Sequence, residues 1–135
     1  MSRTLRLTVV DIGLSNTRSV VNAFRYLGVQ PEVTGDPGSV VSADVIVLPG
    51  VGSYRLAMRR LWASGLADAV TSGVQDRGCK ILGICLGMQI LTRSGLEDGL
   101  TPGLGLIHAD VGPFTTEEVA DQKIPHVGFN SVRPN

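Results

Sequence analysis

Apolar positions along the chain fall into two rhythms that alternate. Runs rich in β-branched and aliphatic residues recur at Leu5 to Gly13, Asp44 to Leu48 and Cys79 to Ile84; the first closes on Asp11 and Gly13 and the second on Pro49 and Gly50. That is the pattern of strands buried on both faces of a parallel sheet. Between them the apolar residues take helical spacing: Val20, Ala23, Phe24 and Leu27 in the first stretch, then Tyr54, Ala57, Met58, Leu61 and Trp62, then Leu66, Ala69, Val70 and Val74 after a break at Ser64 and Gly65. Ser15 or Asn16 is placed to cap the first helix and Gly28 to end it. A weaker strand in "VQPEVTG" is interrupted by Pro31, which predicts an edge position and a start near Glu32.

The predicted order is β-α-β-β-α-α-β-α, the last helix lying in "MQILTRSG", and strands alternating with amphipathic helices predict an α/β fold with an open, mostly parallel sheet flanked by helices. Beyond Gly103 the helical spacing ends. Leu104 to Phe114 and Ile124 to Val132 read as extended segments joined by the polar "TTEEVADQK", predicting an antiparallel hairpin at the sheet's margin.

With 135 residues the expectation is a single domain, 1–135. Twelve basic side chains offset twelve acidic ones, so no charge excess points to nucleic acid. No apolar run approaches the roughly 18 residues of a membrane span, so a soluble, cytoplasmic protein is expected. Cys79 and Cys85 lie at neither zinc-ligand nor CxxC spacing, so no metal and no disulfide are expected.

The candidate chemistry sits in "KILGICLGMQ". Cys85, between Gly83 and Gly87, follows a strand and precedes a helix, the setting of a nucleophile elbow. Glycines on both sides would give clearance where strand and helix cross, the helix N-terminus would favour the thiolate, and the Leu86 amide is placed to donate to an oxyanion. A small buried cysteine in a tight turn fits the residues equally well. Cys79, at the strand's beginning, is assigned to structure. A second glycine-rich turn, "LPGVG", follows another strand, so Gly50, Val51 and Gly52 belong at the same carboxyl-end edge of the sheet, where open α/β folds bind ligands.

Taken in order, "DIGLSNTRSV", "LPGVGSY", "LGICLGMQIL", "GLGLI" and "PHVGFNSV" resemble the class I, cysteine-triad glutamine amidotransferases from Asp11 to Val132, and within them the glutaminases that serve histidine biosynthesis. The resemblance implies a flavodoxin-like three-layer fold and glutamine as substrate. It implies attack by Cys85 on the side-chain amide, a glutamyl thioester, and ammonia passed to a cyclase or synthase subunit in a heterodimer. Gly50, Val51 and Gly52 would form the oxyanion strand, with the Val51 amide rotating inward, and Gln89 would touch the substrate. His126, Phe129 and Asn130 would face the partner subunit, and no cofactor is implied.

The same pattern contains departures. Ile12, Ser15 and Phe129 replace the family's usual tyrosine, glycine and tryptophan, and Arg93 stands near the place of a family glutamate, a charge reversal if that glutamate binds the substrate's amino group. The family's His-x-Glu pair falls beyond the segment matched by "PHVGFNSV". His108 and His126 do not substitute for it, so the expectation is a fold lacking its C-terminal part, with a nucleophile and no catalytic base. Two alternatives stay open: a catalytically incomplete module that docks on a synthase, and a cysteine hydrolase of the dienelactone-hydrolase kind, against which Met88 after Gly87 speaks.

Overall fold

A computed structural model describes residues 4–119, 123–125 and 128–134. The elements are β1 (Leu7–Val10), α1 (Thr17–Tyr26), β2 (Glu32–Thr34), α2 (Pro37–Val41), β3 (Val45–Gly50), α3 (Tyr54–Ala63), α4 (Leu66–Gln75), β4 (Lys80–Cys85), α5 (Leu86–Gln89), β5 (Thr92–Gly95), β6 (Thr101–Pro102), β7 (Ile107–Val111) and α6 (Thr116–Val119). Four strands make a parallel sheet in the order β2-β1-β3-β4. The predicted open α/β architecture is therefore present, with β2 at the edge and starting at Glu32 as its proline required.

Register divides the sheet's two faces. Ile46 aligns with Thr8 and Ile81, while Val47 aligns with Val9 and Leu82, so the two sets point to opposite sides. On the first face Val10, Ile46 and Leu48 join Val40 of α2, Ala57, Met58 and Leu61 of α3, and Leu66, Ala69 and Val70 of α4 in one continuous core. Val9 and Val47 are buried on the second face, the side left to α1, whose buried residue is Val21. Toward β4 that face opens, and Leu82 and Ile84 are 50% and 36% exposed.

Helix starts follow their side chains. Asn16, one of the two residues expected to cap α1, accepts the Ser19 amide at 3.3 Å, and Gly28 after the helix has φ +78°. Ser53 caps α3 by accepting the Leu56 amide at 3.3 Å. Helix α2 was not expected. Its signal is "DPGS", in which Asp36 accepts the Ser39 amide at 2.7 Å and Pro37 occupies the first turn. Five residues containing a glycine are too short for a periodic pattern to register. Trp62 departs from its predicted place in the apolar stripe and is exposed.

The region after Cys85 differs most from expectation. The helix foreseen in "MQILTRSG" is a single turn, α5, and the chain then enters β5, which heads a second, three-stranded sheet of order β6-β5-β7. Among the described residues the expected hairpin between 104–114 and 124–132 is not found, and residues 126 and 127 of its second segment lie outside them. Ile107–Val111 pairs in parallel with β5, the start of "TTEEVADQK" is helical, and the described residues of 123–134 hold no strand. The causes are local. Asp98 and Gly99, both at positive φ, make the tight turn that folds β6 back on β5. Thr115 and Glu118 exchange bonds as a capping box: the Glu118 carboxylate accepts the Thr115 amide at 2.8 Å, and the Thr115 hydroxyl accepts the Glu118 amide at 3.2 Å.

The two sheets meet around Tyr54, whose side chain is 1% exposed. Added Cβ atoms at Gly95 or Gly103 would run into its ring and hydroxyl respectively, so both glycines are there for close approach. The hydroxyl lies 3.4 Å from the Thr92 Oγ1, which itself donates to the Gln89 carbonyl at 2.6 Å. Tyr54 is thus the donor to Thr92, and burial pushes its phenol above the ordinary value of 10.0. Among the described residues no helix is long and apolar enough to cross a membrane.

Candidate active site

Parallel strands β3 and β4 run side by side so that Gly50 is the register partner of Cys85, which puts both glycine-rich turns at one carboxyl-end edge. Cys85 is exposed and has φ +55° and ψ −118°, a conformation that side-chain-bearing residues rarely hold. Such strain persists only where surrounding structure enforces it.

The enforcing contacts are backbone to backbone. A Cβ on Gly83 would lie 2.5 Å from the Met88 Cα and 2.6 Å from its nitrogen, a Cβ on Gly87 would collide with the Leu48 carbonyl, and one on Gly50 would lie 3.1 Å from the Gly87 nitrogen. Strand β4 is folded against α5, and α5 against β3, at distances that leave no room for methyl groups. The glycines on either side of Cys85 let the turn close tightly enough to stand the thiol on the sheet's edge. The helix that follows is only four residues long, so it brings a few amides to the site rather than the dipole of a long helix.

A cavity of about 450 Å³ opens above the elbow. Cys85, Leu86 and Gln89 form its floor, Val51 and Gly52 one wall, and Gly95, Leu96, Glu97, Val111, Gly112 and Pro113 the opposite wall, supplied by the second sheet. Tyr54 closes the base between them. The expected Gly50 lies beneath this lining, against Leu86 and Gly87. The Val51 amide is turned away from the cysteine: it donates to the Leu14 carbonyl at 2.8 Å, on the β1 side of β3, whereas Cys85 lies on the β4 side. Gly52 follows with φ +99°.

Glu97 is the functional candidate missed in the sequence. Its Oε2 accepts the Tyr54 amide at 2.9 Å, which fastens the carboxylate to the first residue of α3 while it lines the cavity. A conformational signal was available in "GLEDG", since the Asp98–Gly99 turn directs the residue before it back over the helix. Arg93 does not confront a substrate. It lies outside the cavity lining, bonded to Asp110 through both Nε (3.1 Å) and Nη2, and Ser94 donates to the same carboxylate at 2.6 Å. Arg93 and Ser94 together hold the Asp110 carboxyl at about 2, against an ordinary 3.8. The charge reversal expected from Arg93 is thus directed at Asp110, and the negative charge at the cavity comes from Glu97.

Residues 8–132 match the family described as Glutamine amidotransferase class-I. The chain belongs to that family. Among curated class-I amidotransferase relatives, it is 44% identical over 127 residues to the imidazole glycerol phosphate synthase subunit HisH of Geobacillus thermodenitrificans, covering 93% of this chain and 59% of that protein. It is 40% identical over 129 residues to the HisH subunit of Geobacter metallireducens (93% and 61%) and 37% over 127 residues to HisH 1 of Parasynechococcus marenigrum (94% and 60%). The chain therefore spans about three-fifths of the length of these relatives.

Within this amidotransferase domain the remaining candidates scatter. Cys79 is buried at the opposite end of β4 from Cys85, and burial pushes its thiol up, as suits a structural residue. His108 is exposed on β7 and does not line the cavity. Phe129 is wholly exposed, Asn130 is exposed, and His126 lies outside the described residues. Among the described residues there is no cluster of side chains able to hold a metal ion.

Proposed function

We propose that this chain carries the nucleophile and substrate pocket of a glutaminase that feeds ammonia to an imidazole glycerol phosphate synthase. The observation that carries the reading is the convergence, on one cavity, of a strained exposed cysteine, a glycine-rich turn and a fixed carboxylate. Glutamine is dipolar at one end and an amide at the other. Glu97 is the group suited to its ammonium, Gln89 to its polar main part, and Cys85 to its amide carbon.

In this reading the Cys85 thiolate adds to the side-chain carbonyl carbon, and the oxygen becomes an anion that accepts from the Leu86 amide. Collapse expels the nitrogen as ammonia once it gains a proton, leaving a glutamyl thioester, which water cleaves to glutamate and free thiol. The Val51 amide joins the oxyanion donors when it leaves Leu14. No described residue of the cavity lining is a histidine, so the proton transfers fall to groups outside that lining. Cytoplasmic location and the exposed Phe129 as a synthase contact follow from the same reading.

The test is labelling of Cys85 by a diazoketone analogue of glutamine, alongside glutamine turnover with and without a cyclase subunit. Cys85→Ala should abolish both. Binding of the chain to the cyclase with no labelling of Cys85 would instead support the docking-module reading, and esterase activity without glutaminase activity the hydrolase one.

A further inference from the structure

Arg60 on α3 is bound to the main chain of a loop far from it in sequence. Its Nη1 donates to the Ile12 carbonyl at 3.2 Å and to the Gly13 carbonyl at 2.9 Å. Gly13 has φ +70°, and a Cβ there would approach that Nη1 to 2.9 Å, so the guanidinium sits close against the loop where a side chain would crowd it. The next residue, Leu14, supplies the carbonyl that holds the Val51 amide. One chain of bonds thus runs from α3 through residues 12–14 to the turn beside Cys85.

We propose that Arg60 is a positioning residue for the oxyanion turn: by fixing the carbonyls of Ile12 and Gly13 it places the Leu14 carbonyl where it retains the Val51 amide, and so sets how often that amide is released toward Cys85. The proposal rests on the glutaminase reading for its catalytic meaning, though not for the bonds themselves. Two features give it force. Charge-assisted bonds are the stronger kind, and Arg60 makes two to a loop whose other tie to this side of the site is the weaker neutral bond to Val51. The side chain is also exposed, so replacing it opens no hole in the core.

Amide hydrogen exchange on the chain, for wild type, Arg60→Met and Arg60→Lys, tests it. In Arg60→Met the Val51 amide should exchange about a hundredfold faster, about tenfold for each of the two charge-assisted bonds lost, while Ile46 and Leu48 in β3 stay unchanged. Arg60→Lys, keeping one cationic donor, should fall between. Labelling of Cys85 by the diazoketone analogue should quicken in the same order at saturating reagent, with half-saturation unaltered. Unchanged Val51 exchange in Arg60→Met would overturn the proposal. So would equal acceleration at Val51, Ile46 and Leu48, which marks general destabilisation. Faster Val51 exchange in a chain whose Cys85 is never labelled supports the positioning role and sinks the glutaminase reading instead.

Discussion

At Cys85, Gly87 and Glu97 the chemistry depends on atoms that are absent as much as on those present. Gly87 lies so close to the Leu48 carbonyl that a methyl group cannot fit without separating α5 from β3. Gly87→Ala is expected to cost about 3 kcal/mol, the upper range for forcing extra volume into a packed site, and thermal unfolding would read it. Glu97→Gln is the opposite kind of change. The amide oxygen can still accept the Tyr54 N–H, so the melting temperature should hold, but the negative charge facing the cavity is lost. On the glutaminase reading, the KM for glutamine should rise about 10- to 100-fold with kcat little altered, the range for a hydrogen bond to a charged group. A fall in kcat with KM unchanged would remove Glu97 from substrate binding.

At the level of elements, what was legible depended on how each is stabilised. Strands β1 and β3 and helices α3 and α4 bury whole faces, so their composition and spacing record it: Ile46 and Leu48 against Met58 and Leu61 is a pattern visible in the letters. Helix α1, by contrast, buries only Val21 of its face and leaves Ala23 and Leu27 of the predicted stripe in water, and no residue of β4 is fully buried. The glycine-flanked turn at Cys85 was legible as one of two readings, the other being a small buried cysteine in a tight turn; in the structure Cys85 stands exposed between β4 and α5. Elements held by turns and caps were not. The second sheet hangs on Asp98–Gly99, α6 on Thr115 and Glu118, and α2 on Asp36, each a few polar contacts with no period. Glu97 was missed for the same reason, since its place depends on that turn and on a bond to a helix 43 residues earlier. Between β5 and β7, the Arg93–Asp110 pair makes its own prediction. With the Asp110 carboxyl near 2 rather than 3.8, its stabilising effect is complete above about pH 4 and disappears as pH falls through 2. Both partners are well exposed, so the effect should be small and weaken with salt. A carboxyl titration followed by NMR, repeated in Arg93→Met, should return the midpoint toward its ordinary value.

Across the whole molecule, burial is lopsided. The face covered by α2, α3 and α4 is closed, while the other face shows Leu82 and Ile84 on β4 and Val33 on the opposite edge strand β2, and β4 has no strand partner beyond β3 among the described residues. An open apolar edge of this kind invites pairing with another chain. Leu82→Lys should reduce dye binding to exposed apolar surface and lower concentration-dependent association in sedimentation, with little change in melting temperature because half of Leu82 is already in water. Unchanged association would place the adhesive surface elsewhere, with Trp62 and Phe129 the next to replace.

The locked glycines also govern traffic. Because β3, β4 and α5 touch through their main chains, the floor beneath the cysteine has no slack and moves as one piece. Any widening that admits a ligand or lets a product escape has to come from the walls: the Val51–Gly52 turn on one side, or the rim of Leu96, Val111 and Pro113 on the other. The nucleophile stands on the packed side of this opening, and of its two doors one hangs on β3 and the other on the second sheet.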